Sequence, residues 1–282
     1  MTINTVAIAG SGTMGAGIAQ VCAQAGIKTI LYDIKPEMLV KAKAGIEKGL
    51  SKLVELNKIN EEGRLNAISL IQYVHEASKV KADLIIEAIL EKKDLKTQLF
   101  NTLADFNSPE TIYATNTSSI PITQIAAEFK YPGKVVGIHF FNPAQIMKLV
   151  EIISGAATEE SVVADSKAFV DKLGKVGVMA KDAPGFIVNR VARPYYVEAL
   201  KLMEEGVADF ATIDTIMESC GFKMGPFRLM DLIGIDTNYS VTESQFALFN
   251  YEPRFRPNRI QKQKVDAGLH GKKTGKGFYN YE

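Results

Sequence analysis

The chain has 282 residues, 46% of them hydrophobic and 23% charged, an ordinary globular composition that argues against disorder, collagen and low-complexity fibres. Lys plus Arg total 33 against 32 for Asp plus Glu, a net charge of +1. Near neutrality gives no electrostatic reason to expect nucleic acid or an anionic membrane as a partner, and it leaves room for a local basic site that takes one phosphorylated ligand. The two cysteines, Cys22 and Cys220, have no His or Cys at ligand spacing. No metal site and no disulfide scaffold are therefore expected, and a reducing, cytoplasmic compartment is. No run approaches the roughly 18 apolar residues of a membrane span. The chain opens almost at once on an apolar strand signal rather than on a basic segment, so no secretory or transit peptide is expected.

In chain order, β-branched runs alternate with helical periodicity. Strands are predicted at residues 5–9, 28–33, 82–88, 111–115, 134–141, 148–154 and 175–180, with a further apolar strand signal near Ile71. Helices are predicted between them at 14–25, 36–57, 94–106, 122–129 and 159–173. Most of the strand runs are continuously apolar, as in a mostly parallel sheet covered on both faces. Gly26 is placed to stop the first helix and Pro36 to open the second. The connection from Asp33 to Ile71 far exceeds an ordinary crossover. It is helical and Lys/Glu-rich, and reads as a helical hairpin over 36–70, on composition a solvated helix pair. Asp182-Ala183-Pro184-Gly185 is a turn-rich junction, which divides the chain into 1–183 and a smaller, all-helical 184–282. In the latter, helices are predicted at 186–205, 211–220, 226–233, 238–249 and 258–267. Pro194 should kink the first of these. The aromatic end, 277–281, reads as a short strand or an extended tail.

The residues that carry chemistry begin with Gly10-Ser11-Gly12-Thr13-Met14-Gly15, a G-x-G-x-x-G run between a strand and a helix, followed by a strand that ends in Asp33. This is the dinucleotide fingerprint of a Rossmann-like domain. Gly10 permits the tight turn, Gly12 lets a pyrophosphate approach, and Gly15 lets helix pack on strand. Gly10, Gly12, Thr13, Met14, Gly15 and Asp33 are the candidate cofactor contacts. The Asp33 carboxylate suits ribose hydroxyls and repels the extra phosphate of NADP, so NAD is the expected cofactor, although Lys35 lies close by. Of the three histidines, His75 and His270 have polar surroundings, whereas His139 sits in an apolar run ending Phe140-Phe141-Asn142-Pro143. Such an imidazole needs a polar partner or a task, and beside a nicotinamide the task is general base. Glu151, a carboxylate in another apolar strand, is the natural group to orient it. Glu87 poses the same question without an obvious partner. Asn116-Thr117-Ser118-Ser119 follows a strand end, where ligands of open sheets gather. Ser119 could equally cap the next helix.

These motifs occur in order with Met147-Lys148-Leu149-Val150-Glu151, Pro184-Gly185-Phe186-Ile187-Val188-Asn189-Arg190, Met224-Gly225-Pro226-Phe227 and the run from Gly271 to Tyr279. Together they resemble the L-3-hydroxyacyl-CoA dehydrogenases end to end, and in length the chain is similar to the bacterial 3-hydroxybutyryl-CoA dehydrogenases. The resemblance implies an NAD-binding N-terminal domain and a helical C-terminal domain that completes the substrate cleft and forms a homodimer. It implies that His139 is the base, paired with Glu151, and that Ser118 and Asn189 position the substrate oxygen and the imidazole. Glu91, Lys96, Asn116, Asn142 and Lys273 fall on cofactor-contacting positions. The 36–70 hairpin becomes a CoA-contacting element, with Lys52 on a CoA phosphate. Two other positions that relatives use for CoA hold Gly49 and Leu56. Arg193, Arg228, Arg254, Arg256 and Arg259 make the C-terminal part unusually basic. They read as surface charge on a dimer, or as a pocket for an acyl chain ending in carboxylate, such as 3-hydroxyadipyl. Two alternatives have their own marks. A 3-hydroxyisobutyrate-type dehydrogenase shares the glycine loop but uses a catalytic Lys. A non-enzymatic NAD-binding relative would not need the Ser118, His139, Glu151 and Asn189 set.

Overall fold

The structure, a computed structural model, describes residues 2–281. The chain divides between Ala183 and Pro184 into two compact units. The first is built on β1 (Thr5–Ala9), α1 (Thr13–Gln24), β2 (Lys28–Tyr32), α2 (Pro36–Glu55), α3 (Glu61–Ser69), β3 (Ile71–Val74), β4 (Leu84–Glu87), α4 (Lys93–Ala104), β5 (Ile112–Thr115), α5 (Ile122–Ala126), β6 (Val135–Phe140), β7 (Leu149–Ser154), α6 (Glu160–Lys172) and β8 (Val176–Lys181). The eight strands form one sheet in the order β3-β2-β1-β4-β5-β6-β7-β8. Every neighbouring pair is parallel except β6 with β7. The first six strands thus have the order of a dinucleotide-binding sheet, with its crevice beside β1 and β4. Val6, Ile8, Leu84, Ile86, Ala114, Val136 and Ile138 bury the central strands, and Ile18, Leu39, Ile46 and Phe169 bring the helices onto them.

The hairpin predicted over 36–70 is α2 and α3, but it is not merely solvated. Leu39, Ala42, Ile46 and Leu50 of α2 are all buried at helical spacing and join the core of the first unit. α2 ends two residues before the predicted Asn57, which takes a left-handed φ of 52°. Asn60 opens α3 by accepting the Gly63 N–H at 2.8 Å. The remaining strand and helix boundaries in this unit lie within a few residues of expectation.

The second unit contains α7 (Val188–Glu204), α8 (Phe210–Ser219), α9 (Pro226–Ile233), α10 (Ile235–Leu248) and α11 (Arg259–Asp266). Its core is Tyr196, Leu200, Ile213, Phe227, Met230, Ile235 and Phe278. Pro194 lies inside α7 and does not end it, the helix continuing to Glu204. The C-terminal residues make isolated bridges, Gly271 with Lys276 and Lys276 with Asn280, rather than a strand. They are pinned instead by Asp231, whose carboxylate accepts the Phe278 and Tyr279 N–H groups at 2.9 Å and the Tyr281 hydroxyl at 2.9 Å. Among the described residues no helix is long and apolar enough to cross a membrane.

Candidate active site

The glycine loop follows β1. Gly10 has φ of +103°, and a Cβ there would lie 2.7 Å from the Ala88 carbonyl oxygen, at the end of β4. A Cβ on Gly15 would fall 1.7 Å from the Gly10 carbonyl oxygen, so α1 can approach the loop only with glycine at that position. Gly12 is the N-cap of α1, with no side-chain cap and no acidic residue in the first turn. A Cβ there would meet nothing within 4 Å. Bare helix N–H groups beside open space fit a pyrophosphate. Asp33 sits just past β2 and braces the loop: its Oδ2 accepts the Ser11 N–H at 2.9 Å and the Ser11 hydroxyl at 2.8 Å. Its Oδ1 accepts the Lys35 N–H at 3.0 Å.

A second cluster forms where β4 and β5 end. Glu87 is fully buried, and its partners answer the question its sequence left open. Lys96 Nζ donates to it at 2.7 Å, the Thr115 hydroxyl at 2.7 Å and the Ile89 N–H at 2.6 Å. Burial pushes the Glu87 carboxyl up, against the opposing pull of Lys96 and these hydrogen bonds. Lys96 also reaches Glu91 Oε2 at 3.1 Å. Glu91 in turn accepts the Thr117 hydroxyl and the Ser118 N–H. Burial would raise the Glu91 carboxyl, but Lys96 and those donors outweigh it and hold the group below the ordinary carboxylate value. Lys96 is 1% exposed, so its charge is spent on two carboxylates, and Glu91 fixes the loop that carries Ser118.

The 116–119 turn does not cap α5 through Ser119. Thr117 Oγ1 closes the turn by accepting the Ser119 and Ile120 N–H groups at 3.3 and 2.9 Å. The Ser119 hydroxyl donates to Glu91 at 3.2 Å. The cap comes from Asp182, whose carboxylate accepts the Ile122 and Thr123 N–H groups at 2.9 and 2.8 Å. Asn116 ties this turn to the next strand, its Oδ1 accepting the Phe140 N–H at 2.8 Å.

His139 lies beside that bond, near the carboxyl end of β6. The antiparallel register sets it directly opposite Glu151 on β7. Nδ1 and Glu151 Oε2 are 2.8 Å apart, with the histidine 5% and the glutamate 1% exposed. The Phe141 ring packs against the imidazole, centroids 4.5 Å apart. The first unit therefore gathers the glycine loop, Asp33, Glu91, Asn116, Ser118 and His139 at the carboxyl ends of its parallel strands, and the antiparallel β7 brings Glu151, near its start, to the same edge. Asn142 follows, exposed. Lys52 is exposed on α2 and paired with Glu55 at 2.8 Å. In the second unit Asn189 lies in the first turn of α7. Lys273 pairs with Asp236 at 2.7 Å, and that hydrogen bond, with one from the Thr237 N–H, outweighs burial and holds the Asp236 carboxyl low. The basic residues there are not all surface charge. Arg259 pairs with Glu204 and Arg228 lies over the Tyr279 ring, but Arg193 is buried.

The chain matches the 3-hydroxyacyl-CoA dehydrogenase NAD binding domain over residues 5–183 and the C-terminal domain of the same family over 185–281. It is 47% identical to the 3-hydroxyadipyl-CoA dehydrogenase of Escherichia coli over 100% of its own length, which is 60% of that protein. It is 35% identical to the 3-hydroxybutyryl-CoA dehydrogenase of Mycobacterium tuberculosis over 99% of both chains. The crystal structure of (S)-3-hydroxybutyryl-CoA dehydrogenase from Ralstonia eutropha superposes with a TM-score of 0.95 at 37% identity, covering 100% of both chains. With both units matched in order, the chain belongs to the 3-hydroxyacyl-CoA dehydrogenase family of NAD-dependent oxidoreductases.

Proposed function

We propose that the protein interconverts (S)-3-hydroxyacyl-CoA and 3-oxoacyl-CoA thioesters, 3-hydroxybutyryl-CoA among them, with His139 as the acid–base group. The observation that carries this reading is the buried His139–Glu151 pair at 2.8 Å, set at the strand ends of a sheet that also holds a dinucleotide loop. NAD, when bound, supplies the hydride acceptor for oxidation and the donor for reduction. As C3 gives up its hydride, His139 takes the hydroxyl proton on Nε2. Glu151 accepts from Nδ1–H, fixes the tautomer and stabilises the imidazolium. Ser118 and Asn189 hold the reacting oxygen or the thioester carbonyl, and Glu91 keeps the Ser118 turn in place. Asp33, Asn116, Asn142, Lys96 and Lys273 serve the cofactor side, Lys96 through its grip on Glu87 and Glu91. Lys52 meets a phosphate of CoA.

Exposed apolar side chains on the second unit, Val191 at 72%, Val207 at 66% and Ile216 at 55%, support the homodimer that the family resemblance implies. A second reading, in which the acyl chain ends in a carboxylate as in the Escherichia coli relative's name, is favoured by the buried Arg193. The test of the reaction is NADH oxidation with acetoacetyl-CoA, and NAD reduction with (S)- against (R)-3-hydroxybutyryl-CoA. Turnover of the (S) thioester alone is expected. A protein that binds NADH yet turns over no 3-oxoacyl-CoA would be a non-enzymatic relative, and the proposal would fall.

A further inference from the structure

The second unit holds a buried cation that the proton and hydride transfer does not use. Arg193, one turn along α7 from Asn189, is 2% exposed. Its Nη1 donates to the Asn238 carbonyl at 3.0 Å, to Asn238 Oδ1 at 3.1 Å and to Thr242 Oγ1 at 2.9 Å. All of these acceptors are neutral. Among the described residues no carboxylate pairs with the guanidinium, and its buried Nε has no acceptor at all. The Tyr196 ring lies 5.3 Å from the guanidinium carbon. Burial lowers the Arg193 pKa to about 10, which still leaves it charged at neutral pH. On the face of α10 that carries Asn238 and Thr242, the next residue inward is Gln245. It is fully buried, and both atoms of its amide are unpaired. Gly185 is pressed against it, since a Cβ there would fall 2.0 Å from Gln245 Nε2.

A buried charge held only by neutral acceptors is costly, and the cost is recovered when a counter-ion arrives. The Nε edge of a guanidinium is one of the two edges that bind a carboxylate with two parallel hydrogen bonds. Asn189 and Arg193 are four residues apart on α7 and so share a face, about 6 Å apart along the axis. That gap suits an acyl group whose C3 oxygen is held at Asn189 and whose carboxylate lies a few methylenes further on.

We infer that Arg193 is the specificity-determining group for a carboxylate at the far end of the acyl chain, so that the preferred substrates are 3-hydroxy- and 3-oxoacyl-CoA thioesters of six-carbon dicarboxylic acids. This rests on the dehydrogenase reading and narrows it. A terminal methyl group in the same place would leave the Nε donor unanswered and the charge unpaired. Gln245 is the neighbouring amide that can turn to donate to the carboxylate.

The experiment compares 3-oxoadipyl-CoA with 3-oxohexanoyl-CoA, thioesters of equal chain length that differ only in the terminal carboxylate, by NADH oxidation on the full chain. The unmodified enzyme should favour 3-oxoadipyl-CoA by at least about tenfold in kcat/KM, the worth of one modest polar contact. Arg193→Met should lower kcat/KM for 3-oxoadipyl-CoA by roughly 30-fold or more, as when one side of a buried charge pair is removed, and leave 3-oxohexanoyl-CoA within a few-fold. Arg193→Lys should recover part of the preference. Should Arg193→Met fail to fold, competitive inhibition of the unmodified enzyme decides: adipyl-CoA should inhibit more tightly than hexanoyl-CoA. Equal efficiency with both substrates, equal inhibition, or an equal loss on both substrates in a folded Arg193→Met protein overturns the assignment. Activity with 3-oxohexanoyl-CoA would then still uphold the dehydrogenase reading, whereas inactivity with every thioester overturns both.

Discussion

A histidine that must give and take a proton has to be held in one tautomer, and the β6–β7 pairing does this for His139 by placing Glu151 opposite it. His139→Ala is expected to lower kcat roughly 10²–10⁴-fold while leaving NADH binding, followed by its fluorescence, intact. The pH slopes should be opposed. Oxidation needs the neutral ring and falls as pH drops, whereas reduction needs the protonated ring and falls as pH rises. Identical slopes in both directions, with chemistry rate-limiting, would assign the proton to another group. At Asp33 the expectation is double. Its carboxylate repels a 2′-phosphate and also braces Ser11, so Asp33→Asn should shrink the preference for NADH over NADPH and raise KM for both. An unmodified protein with equal efficiency on the two cofactors would sink the idea. Both residues are legible in the sequence, because a polar group in an apolar strand and an acid just past a strand each break a pattern. Asp182 is not, since the N–H groups it accepts from belong to Ile122 and Thr123, far back in the chain. Local sequence offers Ser119 instead, and geometry that only folding creates decides against it.

The helices and strands of the first unit are legible from periodicity, since continuous apolar runs alternating with amphipathic helices leave few arrangements other than a covered parallel sheet. What periodicity does not carry is the direction of β7. That strand is as apolar as its parallel neighbours, and only its antiparallel register brings Glu151 to His139. Nor does it show how α4 joins the ends of β4 and β5. That junction is an ion cluster in which the buried Lys96 neutralises the buried Glu87 and the more exposed Glu91, and the Ser118 turn hangs from it. Lys96→Met should therefore destabilise the unit by about 3–5 kcal/mol, the cost of stranding a buried charge, read as a drop in the urea midpoint. Adding Glu87→Gln should return part of the loss, because a neutral amide no longer needs the ammonium. A Lys96→Met protein as stable as the parent would mean that the cluster is solvated, contrary to its burial. The acid limb has a definite sign. Glu91 is held below its ordinary value, so the stabilisation it lends is present above the unfolded carboxylate range, near about 4.3. It is lost as pH falls through the lower folded value.

Across the whole molecule, the substrate that the proposal names is mostly not the part that reacts. Most of a 3-hydroxyacyl-CoA is the CoA carrier, and an enzyme that draws binding energy from a remote carrier spends it on orienting the reacting carbon. The α2–α3 hairpin is suited to such a role. One stripe of α2 anchors it in the core, through Leu39, Ala42, Ile46 and Leu50, while Lys52 stands exposed on another face with Glu55 as its present partner. That pair is a surface contact of small worth, so a CoA phosphate can take the place of Glu55 at little cost. Acetoacetate without CoA is therefore expected to lose kcat as well as affinity, and comparable kcat for the free acid would count decisively against a CoA-specific site. Lys52→Ala should act differently, raising KM for acetoacetyl-CoA with kcat nearly unchanged. Its effect should be larger at low salt, where an exposed charge acts over a longer range. If the rise in KM were the same at low and high salt, Lys52 would be acting through packing or through Glu55, and the phosphate contact would have to lie elsewhere on the hairpin. Gly49, nearly one turn of α2 before Lys52, bears on the same point. A Cβ there would meet only the Gln20 side chain, its Oε1 at 2.9 Å, the end of a side chain that can turn aside, so packing does not demand the glycine. Having no side chain to offer CoA, Gly49 leaves the grip to fall the more heavily on Lys52.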